Sequence, residues 1–206
     1  MSVPGWLVLV ASFVVGGVPF GYVLGMLRGV DVRTIGSGNI GATNVMRATG
    51  RLGGILTFFL DAGKGAVGPL AALALGLGMG WATAAGLAAV AGHCHSVFMR
   101  LRGGKGVATL VGAFAILAPA VAAGGALTFA GVLLVTGYVA VASQALALAL
   151  TALSWAWHGA GDPRTQAGMA GALLVAWRHR ENWRRLWAGT ERGARPGRRR
   201  EERADD

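Results

Sequence analysis

The sequence predicts an all-α fold, a polytopic integral membrane helix bundle of about seven transmembrane helices, with five as the competing count. Three observations predict it. The 206 residues are 54% hydrophobic and only 14% charged, with Leu, Ala, Val and Gly dominant, a composition foreign to a soluble domain of this length. The apolar residues run in stretches long enough to cross about 30 Å of hydrocarbon. The basic residues are gathered into three clusters between those stretches, as in the cytoplasmic loops of membrane proteins.

Taken in order, Val3–Leu27 is the first apolar run and ends at Arg28. It has no basic stretch before it and no Ala-x-Ala site after it, so it reads as a retained span rather than a cleaved signal peptide. A polar, glycine-rich loop continues to Arg51. Leu52–Leu77 is a second span, interrupted by Asp61 and Lys64, and Trp81–Met99 a third. Val107–His158 contains no Asp, Glu, Lys or Arg. It is too long for two typical spans and short for three, with breaks expected near Pro119, Gly124-Gly125 and Gly137. Gly159–Arg164 is a turn and Thr165–Trp177 a short last span.

Residues 1–177 hold nine Lys/Arg and three Asp/Glu, whereas residues 178–206 hold ten Arg and six acids. Placing the clusters at Arg28 to Arg51, Arg100 to Lys105 and from Arg178 onward on the cytoplasmic face requires an even number of crossings after Lys105. Splitting Val107–His158 into three crossings satisfies this, with the N-terminus outside and the C-terminus inside. Residues 1–191 are then one transmembrane domain, and residues 192–206 an Arg-rich cytoplasmic tail expected to be disordered or to touch lipid headgroups. A basic excess of this kind suits anionic lipid or an anionic substrate, and a membrane-embedded body makes nucleic acid the least suitable partner. The single cysteine, Cys94, excludes an intrachain disulfide.

The stretch Gly36-Ser37-Gly38-Asn39-Ile40-Gly41-Ala42-Thr43-Asn44-Val45-Met46-Arg47 contains no acid. Its glycines permit a tight turn with exposed N–H groups, a helix start near Ala42 favours phosphate, and Arg47 adds a guanidinium fork. A plain glycine-rich connection would share this composition. Asp61 and Lys64, three apart, share a helical face. They read either as a structural ion pair or as a lysine leaning toward a phosphate. His93 and His95 project about 200° apart on a helix, which argues against a shared metal. His93 is then a polar group at the active face or a satisfied interior histidine. Gly103-Gly104-Lys105-Gly106 resembles a fragment of a phosphate loop, although Gly106 after the lysine breaks the Walker A spacing. His179 and Asn182, three apart, share a face near Trp183, and histidine is suited to moving a proton. Three clusters able to hold phosphate on one membrane face suit two phosphate-bearing ligands and an acyl chain in the bilayer. A transporter for an anionic solute would also use broken helices and buried charges, but it predicts inverted repeats that the sequence lacks.

Together, Gly36 to Asn44, Gly92-His93 through Thr109, and Arg178 to Leu186 resemble the three motifs of the bacterial acyl-phosphate:glycerol-3-phosphate acyltransferases. Pro19 to Tyr22, Asp31-Val-Arg33 and Asp61 to Gly65 extend the resemblance over nearly the whole chain. It departs at Gly17, where Ser is usual, at His95-Ser96, where an aromatic-Pro pair is usual, and at Ala140, where Ser is common. The resemblance implies transfer of a fatty acyl group from acyl phosphate to the 1-hydroxyl of glycerol 3-phosphate at the bacterial inner membrane, with no cofactor or metal. It implies that Arg47, Lys105, Ser143, His179 and Asn182 surround the acceptor. Ser37 and Asn39, with the glycine turn that holds Gly36, Gly38, Thr43 and Asn44, would lie near the reacting centre and donor phosphate; Lys64, Gly103 and Gly104 remain candidate substrate contacts on their own chemistry. Ser37, Lys105 and His179 are the implied catalytic set. Partners would be the two substrates, membrane lipid and the enzyme that forms the acyl phosphate.

Overall fold

A computed structural model describes residues 3–194 and is all-helical over them. Ten α-helices follow in chain order: α1 (Gly5–Gly16), α2 (Phe20–Met26), α3 (Ala42–Thr49), α4 (Arg51–Ala74), α5 (Met79–Cys94), α6 (Val107–Leu117), α7 (Pro119–Thr136), α8 (Val139–His158), α9 (Pro163–Arg178) and α10 (Arg180–Trp187), with a 3-10 turn at Val97–Met99. Among the described residues, four segments are long and apolar enough to cross a membrane: Gly5–Met26 taken together, α4, α7 and α8. α6 is a shorter apolar helix.

The helices approach closely where one presents glycine to another's backbone. A Cβ on Gly16 would meet Ala89 of α5, and one on Gly92 would meet Phe13 of α1. Gly65 of α4 lies against Thr109 of α6, and Gly112 of α6 against Ala62 of α4. Small residues at crossings are how helices pack where lipid removes the hydrophobic drive between them. The largest core cluster includes Val90, Leu110, Phe114, Val121, Leu146, Leu150 and Val175, and joins α5 through α9.

Two expectations change. The first apolar run is not continuous: it is interrupted at Gly17-Val18-Pro19, because Pro19 has no N–H to donate and disfavours helical backbone at Val18. The freed Val18 carbonyl is capped by the Lys64 ammonium at 2.7 Å. In Val107–His158 the chain breaks at Pro119 and at Gly137, whose φ of 74° ends α7, but Gly124-Gly125 does not interrupt it. Those glycines stay helical and receive Leu153 and Leu150 of α8. Of the expected tail, residues 192–194 are described and return to the body, with the Ala194 N–H donating to the Gly137 carbonyl at 2.8 Å. Residues 195–206 lie outside the described residues.

Candidate active site

A cavity of about 550 Å3 opens between the 36–44 loop, α3, the N-terminus of α6, and the α9–α10 corner. Its lining includes the polar side chains Ser37, Asn39, Arg47, Lys105, His179, Asn182, Arg185, Glu191 and Arg192. It also includes the apolar side chains Phe58, Val107, Val111, Phe129, Val139 and Leu146. Ser143 of α8, buried, lines it too, as do Gly36, Thr43 and Asn44. Four of the expected contact residues, Gly38, Lys64, Gly103 and Gly104, do not line it.

The first loop is built by its own asparagines. Gly36 and Gly38 have φ of 59° and 68°, a left-handed backbone that favours glycine. Asn39 Oδ1 accepts the Gly41 N–H at 2.8 Å, which turns the chain into α3. Asn44 is buried, accepts the Ser37 N–H at 2.9 Å and donates to the Val32 carbonyl at 2.8 Å. Its side chain therefore shapes the loop. Gly41, Ala42 and Thr43 bring the start of α3 to the cavity, and Arg47 follows on the same short helix.

The second loop works differently from the sequence expectation. The N–H groups of Gly103 and Gly104 do not face an anion. They donate to the Cys94 and His93 carbonyls at 3.2 and 3.0 Å. A Cβ at Gly103 would strike the His93 carbonyl, and one at Gly104 the His93 ring, so the glycines let the loop lie flat on the end of α5. Lys105 is the residue that reaches the cavity, where its ammonium donates to Asn182 Oδ1. Gly106, with φ 82°, turns the chain so that the start of α6 faces the same space. Burial pulls the Lys105 pKa down to about 8; Glu191 opposes this, and the charges of Arg185, Arg178 and Arg47 add to it.

His179 stands at the α9–α10 corner, buried, with Nδ1 2.8 Å from the Val175 carbonyl. That contact requires the proton on Nδ1 and leaves the Nε2 lone pair free to accept. Burial first and the Lys105 charge second push its pKa down to about 4, so it is neutral at pH 7. Asn182 donates to Glu191 Oε1 at 2.6 Å, and Arg185 Nε donates to Glu191 Oε2 at 2.7 Å. Deeper in the helices, Lys64 and Asp61 form a buried ion pair at 2.8 Å, and His93 Nδ1 lies 3.7 Å from Asp61. Lys64 is thus held by Asp61 and the Val18 carbonyl, the structural alternative. Asp61 and His93, by contrast, do reach the cavity wall.

The sequence reading missed Arg185, Glu191 and Arg192. Arg185 had a signal, since it is three residues from Asn182 on one helix. Glu191 and Arg192 had none, because only the return of the chain past α10 brings them to the cavity.

Residues 6–189 match the family model described as glycerol-3-phosphate acyltransferase. The chain belongs to that family. Among its relatives, a glycerol-3-phosphate acyltransferase of Anaeromyxobacter dehalogenans is 45% identical, over 91% of this chain and 96% of the relative. That of Rubrobacter xylanophilus is 43% identical, over 93% and 96%. The fold is also similar to two crystal structures of PlsY (YgiH), an integral membrane glycerol 3-phosphate acyltransferase. The glycerol 3-phosphate form has a TM-score of 0.86 at 37% identity, over 92% of this chain and 94% of that one. The lysophosphatidic acid form has a TM-score of 0.85 at 36% identity.

Proposed function

We propose that this family member moves a fatty acyl group from a long-chain acyl phosphate to the 1-hydroxyl of sn-glycerol 3-phosphate, releasing lysophosphatidic acid and inorganic phosphate. The observation that carries the reading is one cavity whose lining joins cations and amides to a set of apolar side chains. An anionic headgroup and an acyl chain need both kinds of lining at once.

The donor is a mixed anhydride and is already activated, so alignment of two anions is the main task. Arg47 and Lys105 hold the phosphate of the acceptor, with Asn182 and Ser143 beside it. The starts of α3 and α6, with Ser37 and Asn39, take the donor phosphate and the developing oxyanion. The hydroxyl oxygen attacks the acyl carbon, the bond to the phosphate oxygen breaks, and the electron pair leaves on phosphate. A pKa of about 4 makes His179 a weak base. Its Nε2 accepts the hydrogen bond that aims the hydroxyl. The proton passes to the departing phosphate, which leaves as a strongly basic oxyanion.

In this reading residues 1–191 are one transmembrane domain with seven crossings. α5, α6 and α9 cross along with the four longer segments, the N-terminus lies outside, and the cavity opens to the cytoplasm at the bacterial inner membrane. The enzyme that forms acyl phosphate supplies the donor. The test is direct. Purified chain in lipid, given palmitoyl phosphate and labelled glycerol 3-phosphate without CoA, is expected to form labelled lysophosphatidic acid. A folded preparation that forms none overturns the proposal.

A further inference from the structure

Arg178 is the last residue of α9 and does not line the cavity. Its guanidinium meets the second loop edge-on. Nε donates to the Gly104 carbonyl at 3.0 Å and Nη2 to the Gly103 carbonyl at 2.8 Å. Among the described residues it has no carboxylate partner, so the fork is engaged by backbone alone. Seen from the loop, both consecutive glycines are fixed on two sides. Their N–H groups go to α5 and their carbonyls to α9. Lys105 comes next, and its side chain reaches across to Asn182, four residues beyond Arg178.

We propose that Arg178 is a positioning residue that clamps the glycine pair to α9 and thereby sets where the Lys105 ammonium sits relative to His179 and Asn182. The two loop carbonyls are satisfied together by one planar guanidinium edge. A lysine could reach only one at a time as a point charge. The positive charge of Arg178 has a second effect, since it helps lower the pKa of both Lys105 and His179. The inference deepens the acyl-transfer proposal and its kinetic part rests on it.

The experiment uses the full chain in lipid, as wild type and as Arg178→Ala, Arg178→Gln and Arg178→Lys. Hydrogen exchange of the backbone at 103–106 is read first and needs no activity. It is expected to quicken about tenfold in each variant, while the helices keep their protection. In the acylation assay, KM for glycerol 3-phosphate is expected to rise about tenfold, with KM for palmitoyl phosphate unchanged. Added guanidinium ion is expected to restore part of the loss in Arg178→Ala, and Arg178→Lys is not expected to behave as wild type. Unchanged exchange at 103–106 overturns the clamp, as does an equal rise in both KM values. Collapse of the whole fold in all three variants also counts against it, since a loop clamp leaves the helical body standing. A wild type that makes no product removes the acyl-transfer reading but leaves the exchange result to decide the clamp.

Discussion

Lys64 and Lys105 are alike in chemistry and opposite in circumstance. Lys64 is buried in α4 and faces a carboxylate and a backbone carbonyl, so its charge is matched within the helices. Lys105 is half-buried at the cavity and meets a neutral amide oxygen, with Arg47, Arg178 and Arg185 near it and Glu191 as the opposing acid. The first arrangement closes on itself and holds α4 to the break after α1. The second leaves positive charge unmatched where an anion can arrive. A basic residue in an apolar sequence therefore states little until its partner is known.

The largest effect should come from breaking the closed pair. Lys64→Met leaves Asp61 charged and uncompensated inside the bundle, and is expected to destabilise the protein by about 3–5 kcal/mol. Thermal unfolding in detergent measures this. The double variant with Asp61→Asn should recover much of the loss, and failure to recover would deny that the two side chains form one unit.

The opposite profile is expected for Lys105→Met. Activity with glycerol 3-phosphate should fall about 100-fold while the melting temperature stays near wild type. If stability falls as far as in Lys64→Met, the contrast between the two lysines is lost.

A third test is pH. Lys105 is protonated below its pKa of about 8 and loses its charge above it. Phosphate of the acceptor gains its second charge above about 6. For the free enzyme and substrate, kcat/KM should therefore peak between those values and decline toward about tenfold per unit above pH 8. Because His179 remains neutral down to about pH 4, His179→Ala should lower the rate but leave the acid limb in place. An acid limb that vanishes with His179 would make it the proton acceptor.

The smallest effect is expected for Arg185→Gln, which keeps Glu191 bonded to Asn182 but removes one rim cation. A rise of about threefold in KM for glycerol 3-phosphate is expected, in keeping with a partly exposed charge.

Much of this was legible in sequence because polar residues stand out in an apolar chain. The loop at 36–47 and the pair His179 and Asn182 were located from glycine, charge and helical spacing, and the three helices over Val107–His158 followed from Pro119 and Gly137. Gly103 and Gly104 show where such reading stops. Composition led to the expectation of an anion-binding loop, but not to N–H groups that go to α5 while Lys105 alone of the three reaches the cavity. Gly124-Gly125 shows the same limit from the other side, since glycine can mark a close contact with a neighbouring helix as well as a break. Glu191 was unreadable because an acid among arginines near the end of a chain looks like solvent-exposed sequence until the fold brings it back.

The hydrogen bond from Ala194 to Gly137 has a practical side. It fastens the final described residues to the turn that opens α8, the helix carrying Val139 and Ser143 into the cavity. Shortening the chain to end before Ala194 would remove that fastening and release the turn beside the cavity.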